Sequence, residues 1–539
     1  MSKSYITFTQ IMKMPRINKI IKNLIEVMIV VLVLITVVLK NYLDLRVYYS
    51  SDEIQSYFVK GFSQNTFSEY SLVAGGIYID FYHLASKFLS PLNAVIFIRM
   101  FTSLIFTTSV YFSVRFLTNR FYGLLALTAV SLMPFTYSRP GHHLIATSLV
   151  ILSVYFILKF SLITALIFVI PLMSIATGLR AEYIVASAIF VIVNIILIIN
   201  KIKILNLKKY YYILPNIFLG FIFPLLILFR YKYPYNFYSS RSYEAFASYY
   251  NLRTLPKGQD PYSNWDVTIS KTFGSSQSLI EAIIYSPTEV SIHIFKNVIE
   301  IPKFLTLNTL QIPNYSYIPS TQIFATISLA ILFIIIIYYT LINRKKIVEV
   351  INYSNKYRGK LLLIVVLLLP NLISMNLIYT VYMQAIFGVA LILVFLWLNY
   401  ILPQPKRIFA IFFVLYGFYL VELNLEFALN KPDTTIQTIS NLNSKKLEWK
   451  TLKTSYQRLT PAEIILLQVN YADENYDNYS TTQEYIEENS VNIIFYNDSL
   501  NYSDISELRG FDNFIENPKS LGFYPLYSNP QIWIKINGS

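Results

Sequence analysis

Two adjacent carboxylates, Asp52 and Glu53, lie in a polar stretch that follows the first long apolar segment of the chain. Neighbouring side chains do not share a helical face, so this pair does not serve helix packing. One carboxylate can face a cavity while the other orients it, and a carboxylate so placed can act as a general base toward a hydroxyl or an amine. The alternative is an ordinary solvated pair in a loop.

Cationic side chains occur in two short turns between apolar segments. The first turn carries Arg139, His142 and His143, and the second carries Arg180 and Glu182. Arginine and histidine suit an anionic group such as phosphate. Two adjacent histidines do not easily chelate one ion, which disfavours a metal site. The alternatives are contacts with lipid headgroups and a simple pair between Arg180 and Glu182.

Three weaker candidates complete the set. Residues 75–91 have apolar and aromatic side chains at helical spacing, which predicts an amphipathic helix with Asp80 and His83 one turn apart on one face. Tyr382 lies in a late turn, where an aromatic anchor is the alternative. Arg241 lies in a long polar segment and is a further candidate for binding phosphate.

The composition shows which elements must position these groups. The chain has 539 residues, of which 55% are hydrophobic and only 14% are charged, and it has no cysteine. This excludes an ordinary soluble enzyme, a disordered chain, a disulfide scaffold and a thiol nucleophile. Apolar segments of about 17–25 residues recur along the chain, which predicts a polytopic α-helical membrane protein.

About eleven segments are long and apolar enough to be transmembrane helices. They are residues 23–40, 93–114, 120–137, 143–158, 161–178, 181–200, 210–229, 322–342, 361–379, 384–401 and 408–426. If the N-terminus is cytoplasmic, every loop on the inner side carries a cation, as the positive-inside rule requires. The net charge of +14 is therefore largely an orientation signal, and nucleic-acid binding is disfavoured.

This topology defines two domains. Residues 1–426 form the predicted transmembrane domain, with two long outer loops at 41–92 and 230–321. Residues 427–539 are rich in Asn, Ser, Asp, Glu and Tyr, with β-like runs at 491–496 and 531–536. They predict a small extracytoplasmic α/β domain, which about 110 residues are enough to form. The bias toward Ile, Asn, Lys and Tyr points to an AT-rich, bacterial source and hence to a plasma or inner membrane.

A series of short motifs follows this layout. In order they are Asp52-Glu53, Gly76-Ile77-Tyr78-Ile79, Ala94 to Arg99, Ser138-Arg139-Pro140, Gly178 to Glu182 and Val381-Tyr382. The ordered set resembles the GT-C superfamily of membrane glycosyltransferases, in particular bacterial relatives of protein O-mannosyltransferases and aminoarabinose transferases. The resemblance covers residues 20–425, and the ending from Asn517 to Lys535 also looks like theirs. Two motifs depart from the family: a Pro-Pro-Leu-Tyr element is replaced by Gly76–Ile79, and Val381 replaces an arginine.

The resemblance implies an enzyme that moves a sugar from a polyprenyl-phosphate donor to a lipid, glycan or protein acceptor at the outer surface. Asp52 would be the base and Glu53 would orient it or the acceptor. The leaving phosphate needs cations, which Arg139, His142, His143, Arg180 and Arg241 would provide. Asp80, His83, Glu182 and Tyr382 would line the cavity. Direct displacement would invert the anomeric centre, and a divalent metal is left open because metal dependence varies in the superfamily.

Other classes of protein fit the layout less well. O-antigen polymerases and ligases also have many spans and two large outer loops, but an acidic pair after the first helix and a large C-terminal domain fit them poorly. A transporter predicts inverted repeats and broken helices at the bilayer midplane, and the sequence has no visible repeat. A non-catalytic scaffold of the cell envelope is the third alternative.

Overall fold

The computed structural model describes most of the predicted helices and part of the C-terminal region. The described segments are 15–43, 76–89, 91–131, 141–180, 183–202, 218–231, single residues between 243 and 254, 265–276, 279–310, parts of 338–342, 358–373, 384–401, parts of 441–452, 470–471, 479–495, 508–526 and 529–535. Contacts divide the chain into two compact units. The first holds most of residues 99–425 together with the first helix, and the second includes Ile79–Ile98 and Glu426–Ser539.

The described chain is mostly helical, as the apolar segments predict. Its helices before residue 402 are α1 (Pro15–Leu43), α2 (Gly76–Ser86), α3 (Pro91–Leu117), α4 (Arg120–Ser131), α5 (Gly141–Lys159), α6 (Leu162–Leu179), α7 (Ile184–Ile202), α8 (Phe223–Tyr231, preceded by a π-helical turn Phe218–Ile222), α9 (Trp265–Phe273), α10 (Leu279–Tyr285), α11 (Pro287–Leu310), α12 (Arg358–Ile373) and α13 (Gln384–Ile401).

Two helical segments of the described chain, Ile96–Leu117 and Leu162–Leu179, are long and apolar enough to cross a membrane. Shorter apolar helices run over Asn23–Leu39, His143–Lys159, Ile184–Leu197 and Ala385–Tyr400. These findings support membrane association. The full set of about eleven spans stays a prediction, since residues 408–426 and most of 322–342 lie outside the described residues.

Helices α5, α6 and α7 pack together in the first unit, and α13 packs against α5. Their buried hydroxyl groups donate to the carbonyl groups one turn earlier: Ser148 to Leu144 at 2.7 Å and Thr177 to Met173 at 2.8 Å. This internal pairing lets polar side chains lie in an apolar helix bundle without an unsatisfied donor. At Gly388 a side chain would lie 2.6 Å from Ile151 Cδ1, so glycine permits the close approach of α13 to α5.

Glu26 joins α1 to the turn between α3 and α4. Its Oε1 accepts from Arg115 Nε at 2.5 Å and from the Tyr111 hydroxyl at 2.9 Å, and Arg120 Nε lies 3.1 Å from Oε2. The Glu26 side chain is only 12% exposed. A buried carboxylate is tolerated where charged donors surround it, so this network holds the first helix in place.

We expect Glu26→Gln to lower the thermal unfolding temperature of the full chain in detergent. The substitution keeps the size of the side chain but leaves two partly buried arginines without their counter-charge, at a cost of about 1–3 kcal/mol. Tryptophan fluorescence during heating measures the transition. Glu448→Gln is the matched control, because Glu448 is exposed and its carboxylate change should leave the transition unchanged. Equal transitions for both variants would contradict a stabilising role for Glu26.

Other helix ends assigned to the same predicted side also meet. Asn119 Nδ2 donates to Asn399 Oδ1 at 2.6 Å, which brings the start of α4 to the end of α13. Lys360 Nζ at the start of α12 donates to the Phe160 carbonyl at 2.7 Å, just after α5. Each contact joins ends that the positive-inside rule places in the cytoplasm. The order in which the spans cross the membrane stays a prediction.

The predicted outer loop 230–321 contains folded structure. Helices α9, α10 and α11 share an apolar cluster with residues from 243 to 250: Tyr243, Phe246, Ala247, Tyr250, Ile269, Phe273, Ala282 and Val290. Burial raises the pKa of Tyr243 to about 12, so its hydroxyl stays protonated at neutral pH. This cluster makes the segment a small helical subdomain with its own core, because a loop without such burial would not order its backbone.

The described part of residues 441–535 contains both strands and helices. Strands β1 (Lys450–Thr451) and β2 (Asn470–Tyr471) pair in parallel. Helix α14 (Thr482–Glu488), strand β3 (Ile493–Phe495) and helix α15 (Phe511–Glu516) are followed by strands β4 (Tyr524–Leu526) and β5 (Asn529–Ile534). The central strand of the second sheet is β5, which pairs antiparallel with both β3 and β4.

The α/β segment has its own apolar core. Tyr485, Ile494, Phe514 and Phe523 are at most 2% exposed and belong to one cluster. Helix α14 begins at an N-cap, because Thr481 Oγ1 accepts from the Glu484 N–H at 3.2 Å. The Glu484 carboxylate in turn accepts from both the hydroxyl and the N–H of Ser480, which lowers the pKa of Glu484. The segment is thus held by side-chain burial and capping.

Candidate functional site

The first element of the site is the start of α5. The helix begins at Gly141, so His142 and His143 occupy its first turn, and the His143 side chain is only 7% exposed. The first turn of a helix carries partial positive charge from its N–H groups, which disfavours a second positive charge there. The start of α5 therefore favours a nearby anion.

The second element is the end of α6. Arg180 is the C-cap of this helix: its backbone is extended, and its N–H donates to the Ala176 carbonyl at 2.8 Å. A cation at a helix C-terminus is stabilised by the carbonyl groups that end there. The Arg180 side chain is 7% exposed, so its charge is largely removed from water.

The two elements meet through a direct side-chain contact. Arg180 Nη1 lies 2.5 Å from His143 Nε2 and also contacts the other ring nitrogen, Nδ1. The guanidinium has only donors, so an imidazole can accept from it through only one ring nitrogen, the one that carries no proton. The contact joins residues from two turns that are separate in the sequence, and it places the guanidinium directly beside the imidazole.

A second hydrogen bond lies at the same helix ends. The Tyr183 N–H donates to the Arg180 carbonyl at 3.2 Å, so one short turn positions both residues. The Tyr183 hydroxyl donates to Asn371 Oδ1 at 3.1 Å, which links this turn to the end of α12. Asn371 is 3% exposed, and its Nδ2 finds no acceptor among the residues that the structure describes. The turn therefore brings an arginine, a tyrosine and an amide donor to one end of the bundle.

The start of α2 packs against the same end of α6. A side chain at Gly178 would overlap Ile77, whose Cγ1 lies 2.8 Å from the position a Cβ would take. Glycine is thus required two residues before Arg180 for Ile77 to pack there. The contact joins the predicted amphipathic segment to the arginine turn.

The structure brings together two of the predicted site residues, His143 and Arg180. Asp80 and His83 lie in α2, as predicted, and Asp80 is partly exposed, whereas the His83 and His142 side chains are not described. The remaining predicted residues lie outside the described residues: Asp52, Glu53, Arg139, Glu182, Arg241 and Tyr382. Their roles stay predictions.

Two residues of the site, Tyr183 and Asn371, were not predicted from the sequence. Asn371 had a usable signal, because it follows Pro370 in an otherwise apolar segment and polar side chains in such segments are costly and commonly functional. Tyr183 had no comparable signal, since tyrosines at membrane interfaces usually anchor the chain.

The arrangement suits an anion. A buried guanidinium beside an imidazole can hold phosphate oxygens and stabilise negative charge that develops on them. Among the described residues, no group of three or more His, Asp or Glu side chains is arranged to hold a metal ion. Comparison with models of known protein families, with curated proteins and with solved structures finds no match for this chain.

Proposed function

We propose that this protein is a membrane glycosyltransferase that moves a sugar from a polyprenyl-phosphate donor to a lipid, glycan or protein acceptor of the cell envelope. The reaction takes place on the outer face of a bacterial plasma membrane, with the N-terminus in the cytoplasm. The observation that carries the proposal is the buried contact between Arg180 and His143 at the predicted outer ends of two apolar helices.

The position of this contact supports a lipid-linked phosphate as ligand. A polyprenyl chain lies in the membrane, so its phosphate lies at the membrane surface, where the helices end. Burial strengthens the interaction of Arg180 with an anion, because the surrounding dielectric is low. The helix end also adds an amide donor through Asn371, which Tyr183 orients.

The proposed reaction is a direct displacement at the anomeric carbon. The acceptor oxygen or nitrogen attacks that carbon while its bond to the phosphate oxygen breaks. The electron pair of the broken bond stays on the phosphate, where Arg180 stabilises the new charge. The proton of the acceptor passes to the carboxylate of Asp52. The anomeric configuration is inverted.

The helix contacts support the alternating order of the predicted spans. At the predicted outer ends, the bond between Tyr183 and Asn371 joins the start of α7 to the end of α12. At the predicted inner ends, the bond between Lys360 and Phe160 joins the start of α12 to the chain just after α5. This is the pattern expected of consecutive antiparallel spans.

The direct test uses the full chain in lipid nanodiscs. Purified protein is mixed with lipid extracts that contain polyprenyl-phosphate sugars and with membranes of a strain lacking the gene, and mass spectrometry follows lipids and glycans. We expect release of polyprenyl monophosphate and a new glycosylated product. Release of polyprenyl diphosphate would instead indicate the polymerase or ligase alternative. Solute transport without any change in the donor would contradict the transferase proposal.

A further inference from the structure

Helix α11 buries two polar side chains, His293 and Asn297, beside apolar ones. Its inward side chains recur at helical spacing: Val290, His293 and Asn297 are 4%, 2% and 0% exposed. Burying histidine and asparagine is costly unless they are hydrogen-bonded. In a helix that borders water, these positions would normally hold apolar side chains.

The opposite face of α11 is apolar and exposed. Ile292, Phe295 and Ile299 follow the same spacing and are 39%, 64% and 59% exposed. Helix α11 thus exposes large apolar side chains while two polar side chains are buried on its other face. An exposed apolar face of this kind marks an interaction surface. We call these three side chains the α11 stripe.

Specific contacts fix the helix in this orientation. Arg253 Nη1 donates to the His293 carbonyl at 3.0 Å, and its Nη2 donates to Asn297 Oδ1. The His293 ring packs edge-on against Phe246, with centroids 5.5 Å apart. The Tyr250 hydroxyl donates to Glu289 Oε2 at 3.0 Å. Rotating the helix to bury the α11 stripe would break all of these contacts.

We propose that the α11 stripe lies in the outer leaflet of the lipid bilayer and docks the 243–310 subdomain on the membrane surface. Helix α11 packs against α12, one of the predicted spans. The stripe therefore belongs to a helix that directly contacts a predicted membrane-spanning segment.

Two features next to the α11 stripe also suit contact with lipid. Ile284 and Tyr285, at the end of α10, are 75% and 65% exposed and extend the apolar surface just before α11. Lys296 lies exposed beside the stripe, where its ammonium can reach lipid phosphates. The inference goes beyond the proposed sugar transfer and does not depend on it.

The test uses the absence of native cysteine in the chain. Phe295→Cys and Ile299→Cys are each labelled with a small environment-sensitive fluorophore in the full chain, reconstituted in nanodiscs. Lys271→Cys on α9 is the matched control, since Lys271 is also exposed but lies outside the stripe. Quenching is measured with bromine-labelled lipids and, separately, with iodide in the water phase. The two stripe positions test the same surface independently if one variant fails to fold.

We expect brominated lipids to quench the labels at positions 295 and 299 at least about two-fold more strongly than the label at 271, with iodide showing the opposite order. Equal lipid quenching at all three positions, with full access of iodide, would overturn the proposal. A disulfide-linked dimer of Phe295→Cys that forms in place of lipid contact would also overturn it, because a second copy would then cover the stripe.

Discussion

Arg180→Ala is expected to reduce the turnover number for sugar transfer by about 10²–10³-fold, the size of effect seen when one group that stabilises developing charge is removed. Arg180 is buried, and its guanidinium lies beside the His143 imidazole. In the proposed reaction its charge acts on the leaving phosphate mainly in the transition state. Initial rates of polyprenyl phosphate release in nanodiscs measure the effect, and the change should appear more in the turnover number than in KM.

Three further variants separate the roles of charge, geometry and fold. Arg180→Lys keeps the charge but lacks the forked donors, so its rate should lie between those of the wild type and Arg180→Ala. His143→Gln retains a hydrogen-bond acceptor and should lose less activity than His143→Ala. Arg358→Ala is the matched control, since Arg358 is exposed at the opposite, predicted cytoplasmic end of the bundle.

Binding of free polyprenyl phosphate distinguishes a functional loss from a folding defect. Native mass spectrometry of the folded fraction should show weaker binding by Arg180→Ala than by Arg358→Ala. An Arg180→Ala variant that folds, binds polyprenyl phosphate and transfers sugar at the wild-type rate would contradict the assignment of this residue to the phosphate.

The sequence predicts helix positions well where the apolar pattern is continuous. Predicted spans 93–114 and 161–178 correspond to Pro91–Leu117 and Leu162–Leu179 in the structure. The helix ends are set by local chemistry that the sequence displays, such as the Ser161 N-cap before α6. The strand order of the C-terminal region could not be predicted from the sequence. The last strand, β5, lies between β3 and β4, and no local pattern specifies that order.

The candidate site is predicted in its residue types and not in its pairing. Both Arg180 and His143 are conspicuous because charged and imidazole side chains are rare beside apolar segments. Their contact spans 37 residues, and that between Tyr183 and Asn371 spans 188. Such contacts depend on which helices pack together, and residue spacing along one helix does not determine this.

Residue spacing also does not predict which face of α11 is buried. Its sequence alternates apolar and polar side chains at helical spacing, which predicts an amphipathic helix but not which face is buried. The bonds from Arg253 to His293 and Asn297 decide the orientation. Arg253 precedes these partners by 40 and 44 residues, so only the folded chain reveals the choice.

In the proposed reaction, the acceptor half is assigned to the carboxylate pair in the first predicted outer loop. A hydroxyl or amine attacks an anomeric carbon slowly unless a base takes its proton as the bond forms. Cations bind the phosphate on one side of the sugar, so the base must lie on the other side of the anomeric carbon. Asp52 and Glu53 follow the first helix and precede the cationic turns in the chain, which makes them the candidates for this role.

Asp52→Asn is expected to lower the turnover number by about 10²–10⁴-fold while binding of the donor is retained, because the amide keeps the shape of the side chain but cannot accept the proton. Sugar transfer is measured in nanodiscs, and loss of the glycan is measured in cells with equal expression. Glu53→Gln should cost less, since Glu53 orients the base or the acceptor, and Asp512→Asn at an exposed position of the C-terminal region is the control. If Asp52→Asn keeps full activity while Glu53→Gln abolishes it, the two carboxylates exchange roles. Full activity of both variants would show that the base is another residue. The assignment of Arg180 to the phosphate is tested separately and would not be affected by that result.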